Sequence, residues 1–155
     1  MNKGGRTRWI LAFIWASWIF ATSSAVIHSK EFIYSVVHAS DGKVSQESFQ
    51  RFWQSWWWVF VKGYHVLEYF NLTLCLLFAV SKTQWSFSKK LPSCGVAAVL
   101  YASSDEYHQT FVPTRGGKWT DVVIDTGGVS LAILLSWTFH KILARKAQMK
   151  PLEIG

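Results

Sequence analysis

Long apolar runs without charge are the feature that most limits what this chain can fold into. Residues 9–27 carry no charge and match the roughly 20 residues that a helix needs to cross a bilayer. Two further runs, 66–80 and 122–139, each contain a single charged residue. A soluble bundle of buried helices would need polar faces at helical spacing, and these runs lack them. The chain is therefore predicted to be an all-α integral membrane protein.

Composition agrees with this prediction. Half of the 155 residues are hydrophobic and only 16% are charged, whereas about a quarter is usual in soluble domains. The length suits one domain, so residues 1–155 are interpreted as a single membrane domain. Membrane spans are predicted at 9–27, 58–80, 92–112 and 120–139. The expected architecture is a four-helix bundle in a multi-pass protein of the cell membrane.

The positive residues indicate how such a bundle is oriented. With four spans, the connecting segments alternate between two sides of the membrane. One side holds Lys3, Arg6, Arg8, Lys82, Lys89, Lys90, Lys141, Arg145, Lys146 and Lys150. The other holds Lys30, Lys43, Arg51, Arg115 and Lys118. The positive-inside rule then places both termini in the cytoplasm. The basic clusters are interpreted as topology signals and contacts for anionic lipid, and no nucleic-acid partner is predicted despite the net charge of +7.

Residues 29–57 form the one long loop, which faces outward in this topology. Its polar first half precedes an aromatic run, so a short interfacial helix is predicted on the outer leaflet, starting near Asp41 or Ser45. Trp residues are predicted at both membrane boundaries: Trp53, Trp56, Trp57, Trp58 and Trp119 outside, and Trp9, Trp85 and Trp137 inside. Such belts anchor helices at the headgroup level. The alternative for "RFWQSWWW" is a platform for carbohydrate or lipid.

The first span also has the layout of a secretory signal, in which cleavage after Ala25 would remove the span. Retention of the span is favoured because Trp15 and Trp18 are unusual in a signal core. Cleavage would also leave three spans and place the two termini on opposite sides of the membrane.

Five of the nine acidic residues lie inside predicted spans. They are Glu68, Asp105, Glu106, Asp121 and Asp125. Each costs about 2.5–3.5 kcal/mol at a helix centre on insertion scales, so a specific role is expected. In the predicted topology all five fall in the outer half of the bilayer and converge on one site. Because they outnumber the nearby cations, some must be protonated, share a proton or hold an external cation.

Spacing indicates which side chains share a helix face. Tyr101, Asp105 and Gln109 repeat every four residues, and so do Asp121 and Asp125. The Gly-flanked Arg115 is predicted to fold over the site and clamp either Asp121 or a planar anion of a ligand. The predicted ligand-binding residues are Lys62, His65, Glu68, Tyr69, Asp105, Glu106, Gln109, Arg115, Asp121 and Asp125.

The segment 105–128, "DEYHQTFVPTRGGKWTDVVIDTGG", carries an acid-acid-x-x-Gln block, an Arg-Gly turn and an Asp-x-x-x-Asp leading into Gly. In these features the chain resembles the VanZ-like family of small membrane proteins. The stripe Lys62, His65 and Tyr69 in "KGYHVLEY" is a second match, and a serine at the end of the first span is a third. Asp125 stands where the family often has Asn. The resemblance implies a cell-envelope membrane protein of a family linked to resistance to teicoplanin, a lipoglycopeptide, and it implies no reaction.

Several functions remain open at this stage. The first is a non-enzymatic envelope factor whose outward polar pocket holds an anionic lipid headgroup, a lipoglycopeptide or a partner protein. The alternative is an intramembrane enzyme acting on a lipid-linked phosphate or headgroup. A proton- or cation-coupled carrier is ranked third, since broken helices and inverted repeats are not visible. Pairing of the polar groups only to fix the bundle is the structural alternative.

Membrane lipids are the expected partners. No cofactor is predicted, and no metal site, because Cys75 and Cys94 are isolated. The oligomeric state and catalytic residues are left open.

Overall fold

The computed structural model describes residues 3–26, 28–113 and 115–148. These residues form five helices: α1 (Lys3–Ser24), α2 (Ser29–Ala39), α3 (Gln46–Val80), α4 (Phe87–Gln109) and α5 (Trp119–Gln148). No strand occurs in the part of the chain described, which confirms the all-α prediction. The predicted end of the first span, Ile27, and the tail residues Lys150 and Glu153 lie outside the described residues.

Two helices, α3 and α5, are long and apolar enough to cross a membrane, and a third span results if α1 and α2 are counted together. The axes of that pair differ by 107°. The helix α4 is not among these spans; it carries Lys89 and Lys90 near its start and Asp105 and Glu106 near its end. Large apolar side chains are nevertheless exposed on several helices, among them Phe13 and Leu134. Contiguous exposed apolar surface of this kind is typical of contact with lipid.

The helix α3 is central to the packing. It contacts each of the other four helices, and α4 also packs against α1 and α5. The buried core between them is formed by Ile19, Tyr69, Leu72, Ala98, Ala102 and Val129. Small side chains on α4 and α5 allow close approach of the helices. A very close approach is at Gly128, where a Cβ would overlap the carbonyl oxygen of Val66. The α3–α5 contact therefore depends on a residue without a side chain.

The long loop differs from the prediction. Instead of a short surface helix followed by a separate span, α2 occupies the first half of the loop and α3 begins at Gln46. Ser45 is the N-cap of α3, and its side chain accepts a hydrogen bond from the backbone N–H of Ser48. The prediction of a helix start at Ser45 is confirmed, but a separate surface helix after it is wrong. No Gly or Pro follows until Gly63, so nothing interrupts the helix once it is capped.

Other helix ends also differ from the predicted spans. The helix α4 ends at Gln109 rather than near 112, and α5 continues to Gln148 rather than ending near 139. Residues 140–148 are mainly good helix formers and contain no Gly or Pro. Hydropathy locates the apolar part of a helix, whereas the helix itself continues until a residue or turn stops it.

Candidate functional site

Polar side chains from α1, α3, α4 and α5 meet inside the helix assembly. Those that are buried are Ser23, His65, Glu68, Thr73, Asp105, Glu106, Gln109 and Asp125. Six of these eight are predicted site residues. The other two contact predicted site residues: Ser23 bonds Asp105, and the Thr73 hydroxyl donates to the carbonyl oxygen of Tyr69. The structure thus brings side chains of four helices together in one polar cluster; the sequence led us to expect such a cluster from the directions of the predicted spans.

The end of α4 holds the most extensive hydrogen-bonded group. The Gln109 amide donates to Asp105 Oδ2 at 3.0 Å and to Glu106 Oε1 at 3.2 Å. The hydroxyl of Ser23, from α1, donates to Asp105 Oδ1 at 2.6 Å. The backbone N–H of Lys118 donates to Glu106 Oε2 at 2.9 Å. Both acids are thus held by donors from other parts of the chain.

The turn before α5 is pressed against the end of α4. A Cβ on Gly117 would overlap the carbonyl oxygen of Glu106, so only glycine permits this approach. The close contact is what brings the N–H of Lys118 to the Glu106 carboxylate. It also places Arg115 beside the buried acids.

The side chain of Arg115 makes only long hydrogen bonds with the described residues. Its guanidinium donates to Gln109 Oε1 and to the carbonyl oxygen of Thr22, each at 3.4 Å. Within the described ranges no carboxylate lies at ion-pair distance from it. The expected clamp on Asp121 is absent, because the carboxylate of Asp121 is paired elsewhere. Guanidinium donors of Arg115 therefore remain for an anion.

Ion pairs connect α3 with α5. Lys62 Nζ lies 2.6 Å from Asp121 Oδ2. His65 Nδ1 lies 3.3 Å from Asp125 Oδ1. The two atoms are therefore close together but do not form a hydrogen bond of good geometry, and neither has another hydrogen-bond partner among the described residues. Lys62 thus neutralises one acid, and Asp125 remains buried without a hydrogen-bonding partner.

The remaining predicted residues lie deeper along α3. Glu68 Oε1 accepts a hydrogen bond from the Thr22 hydroxyl at 2.8 Å. Tyr69 is fully buried, and its hydroxyl has no hydrogen-bond partner among the described residues. Its ring lies 6.5 Å from that of Tyr101, whose hydroxyl donates to the carbonyl oxygen of Ala16 at 2.6 Å. Tyr69 therefore borders the polar cluster and packs in the core.

Three side chains from three helices approach a common point. Potential ligand atoms of His65, Glu106 and Asp125 all lie within 4.8 Å of one another. All three residues belong to the predicted site, but spacing could not single them out as a trio, since each residue comes from a different helix. Only the packing of α3 against α4 and α5 brings them together.

A groove of about 740 Å³ lies beside the polar cluster, within the usual size range of ligand sites. Its apolar wall comes mainly from α2 and α3. Its polar end comprises Thr22, Ser23, His65, Glu68 and Arg115. The apolar wall includes Phe32, Trp53, Trp57, Phe60 and Val61.

Sequence reasoning did not assign the groove or Thr22. The aromatic run was interpreted mainly as a membrane anchor, and Trp56, Trp58 and Trp119 are indeed exposed. Trp53 instead packs on Phe32, with ring centroids 4.5 Å apart. The sequence signal that could have indicated the groove is Phe32, a second aromatic residue in the same loop, which packs against the aromatic run at Trp53.

The comparisons with known proteins give one family. The model of the family described as VanZ/LLP1 matches residues 8–140. No curated protein and no solved structure matches the chain. The matched region includes all ten predicted site residues and the whole wall of the groove.

Proposed function

The chain belongs to the VanZ/LLP1 family, and on this premise we propose that this VanZ-like membrane protein binds an amphiphile with an anionic headgroup. The ligand would be a lipid or a lipoglycopeptide of the cell envelope. By holding it, the protein would lower the sensitivity of the cell to glycopeptides and lipoglycopeptides such as teicoplanin.

The observation that carries this proposal is the groove, which combines two chemistries. Its aromatic wall suits an acyl or prenyl chain, because burial of apolar surface contributes about 25 cal/mol per Å². Its polar end presents Arg115, whose present contacts are both 3.4 Å long. A phosphate or carboxylate can accept two parallel hydrogen bonds from one guanidinium. Exchanging two long contacts for such a bidentate pair favours an anionic headgroup at this end.

We further propose a four-helix, multi-pass arrangement in the cell membrane, with both termini in the cytoplasm. The ten-to-five distribution of cations between the connecting segments supports it. The groove would then open towards the outer leaflet, where envelope lipids and lipoglycopeptides are encountered. Labelling of introduced cysteines from outside should reach position 116 but not position 89. Labelling of position 89 from outside would contradict this orientation.

Arg115→Lys tests the headgroup contact. The variant keeps the positive charge but loses the planar fork of donors. We expect normal abundance in the membrane, loss of the co-purifying amphiphile in native mass spectrometry, and loss of protection against teicoplanin. Lys118→Ala is the matched control, since its backbone N–H bonds Glu106 whereas its side chain is exposed. Full retention of ligand and protection in Arg115→Lys would reject the bidentate contact.

A second candidate function is an intramembrane hydrolase of lipid-linked phosphate. The proximity of His65 to Asp125 and of both to Glu106 favours it, because such groups can activate water. In this reaction water adds to phosphorus while the bond to the lipid oxygen breaks, giving inorganic phosphate and a lipid alcohol. Purified protein should then release phosphate from a prenyl phosphate. No release above that of an Asp125→Asn variant would reject the hydrolase.

A further inference from the structure

We propose that His65, Glu106 and Asp125 form a binding site for a divalent transition-metal ion. The site lies between α3, α4 and α5, adjoining the polar end of the groove through His65. The proposal does not depend on the amphiphile, because the three ligands are in place whatever the groove binds.

The distances suit one ion. The potential ligand atoms lie within 4.8 Å of one another, and His65 Nδ1 lies 3.3 Å from Asp125 Oδ1. Bonds of about 2.0–2.2 Å allow two ligands of one zinc ion to be at most ~4.4 Å apart. Small side-chain rotations are therefore sufficient to bring all three atoms onto the ion.

The state of Asp125 points independently to a ligand. Its side chain is fully buried, yet neither carboxylate oxygen has a hydrogen-bond partner among the described residues, and the same holds for His65 Nδ1. Buried polar atoms of native proteins are nearly always partnered. Among the described residues the charge of Asp125 is offset only by the 3.3 Å pair with His65, and a buried charge is costly unless it is also hydrogen-bonded. An ion bound at this point would satisfy these atoms together.

Neighbouring groups hold one of the three proposed ligands in place. Glu106 is held by the side-chain amide of Gln109 and the backbone N–H of Lys118, and ligating carboxylates are commonly fixed in this way. Two carboxylates supply a charge of −2, which a divalent ion balances. The ammonium of Lys62, three residues before His65, is neutralised by its 2.6 Å pair with Asp121.

The donor set selects the class of metal. Mg²⁺ and Ca²⁺ prefer sites made only of oxygen, whereas an imidazole favours zinc and neighbouring transition metals. Carboxylates also suit Mn²⁺. One imidazole and two carboxylates therefore fit Zn²⁺ or Mn²⁺. Three protein ligands leave a further coordination position, as in catalytic zinc sites.

The test is titration of the full, tag-free protein in lipid nanodiscs with Zn²⁺ and with Mn²⁺. We expect about one equivalent of at least one metal to bind. Loss of an outer partner of a metal ligand typically costs 10–100-fold in affinity, so Asp125→Asn and His65→Gln should each weaken binding by roughly 100-fold or more. Glu31→Gln and His108→Gln are the matched controls, because these residues lie outside the trio and outside the groove, and they should bind as the wild type does.

X-ray absorption of the metal-loaded wild type gives a readout that needs no variant. We expect one imidazole nitrogen and carboxylate oxygens around the ion at about 2.0–2.2 Å. The proposal is overturned if the wild type binds neither metal, or if no imidazole contributes to the coordination. It is also overturned if the two control variants lose binding to the same extent as Asp125→Asn and His65→Gln.

Discussion

Gly128→Ala is expected to separate α3 from α5 and so disrupt the site. The added Cβ would overlap the carbonyl oxygen of Val66 and lie 3.0 Å from the backbone nitrogen of Phe70. Both atoms belong to the backbone of α3, so no side-chain rotation can relieve the contact. Because Asp125 lies on the same helix one turn earlier, the displacement would also move its carboxylate away from His65.

The magnitude follows from two opposing effects. Overpacking a close contact costs typically 1–3 kcal/mol, and a clash with backbone belongs at the upper end of this range. Replacing a helical glycine by alanine gains up to about 1 kcal/mol. We therefore expect Gly128→Ala to be less stable than the wild type by roughly 2 kcal/mol. Gly127→Ala meets open space, so it should be neutral or more stable by up to about 1 kcal/mol.

The assay is reversible unfolding of both purified variants in mixed micelles, followed by circular dichroism. The same preparations can be examined for retention of the co-purifying amphiphile. The two glycines are neighbours in α5 and undergo the same substitution. They differ only in what the added methyl group meets. Equal stabilities of Gly128→Ala and Gly127→Ala would refute the close α3–α5 contact and the site geometry that depends on it.

Two further predictions concern individual polar contacts. Reversal of one charge of the Lys62–Asp121 pair should lower the free energy of unfolding by about 1.5–3 kcal/mol, and the double exchange Lys62→Asp/Asp121→Lys should restore most of it. An additive double variant would show that the pair does not form. Ser23→Ala should cost about 1–3 kcal/mol because it removes a donor from the buried Asp105, whereas Ser24→Ala should cost less than 1 kcal/mol. Equal losses of stability in the two variants would contradict the hydrogen bond from Ser23 to Asp105.

The presence of a polar site could be predicted from sequence because charges in apolar helices are costly wherever they lie. The four-residue spacing of Asp105 and Gln109 also gave their shared face, and the two side chains are hydrogen-bonded in the structure. These inferences need only the geometry of a single helix. The N-cap of α3 at Ser45 was predictable for the same reason, since capping is local.

The pairing of residues between helices could not be predicted in this way. Either Arg115 or Lys62 could form an ion pair with Asp121 on sequence grounds. The pair with Lys62 forms because of the rotation and depth at which α3 packs against α5. Glu106 neighbours Asp105 on α4 but turns about 100° from it, so its approach to His65 and Asp125 depends on how three helices pack. The groove likewise depends on α2 folding back on α3, which hydropathy does not encode.

The most direct test of the proposed amphiphile site is photo-crosslinking in native membranes. A photoreactive phenylalanine analogue would replace Phe60, which lines the groove, or Phe139, which is exposed on α5 outside it. The crosslinked lipids would then be identified by mass spectrometry. We expect position 60 to capture one class of anionic amphiphile, enriched over the bulk membrane, and position 139 to capture the bulk mixture. The same lipid composition at both positions would contradict a specific site in the groove.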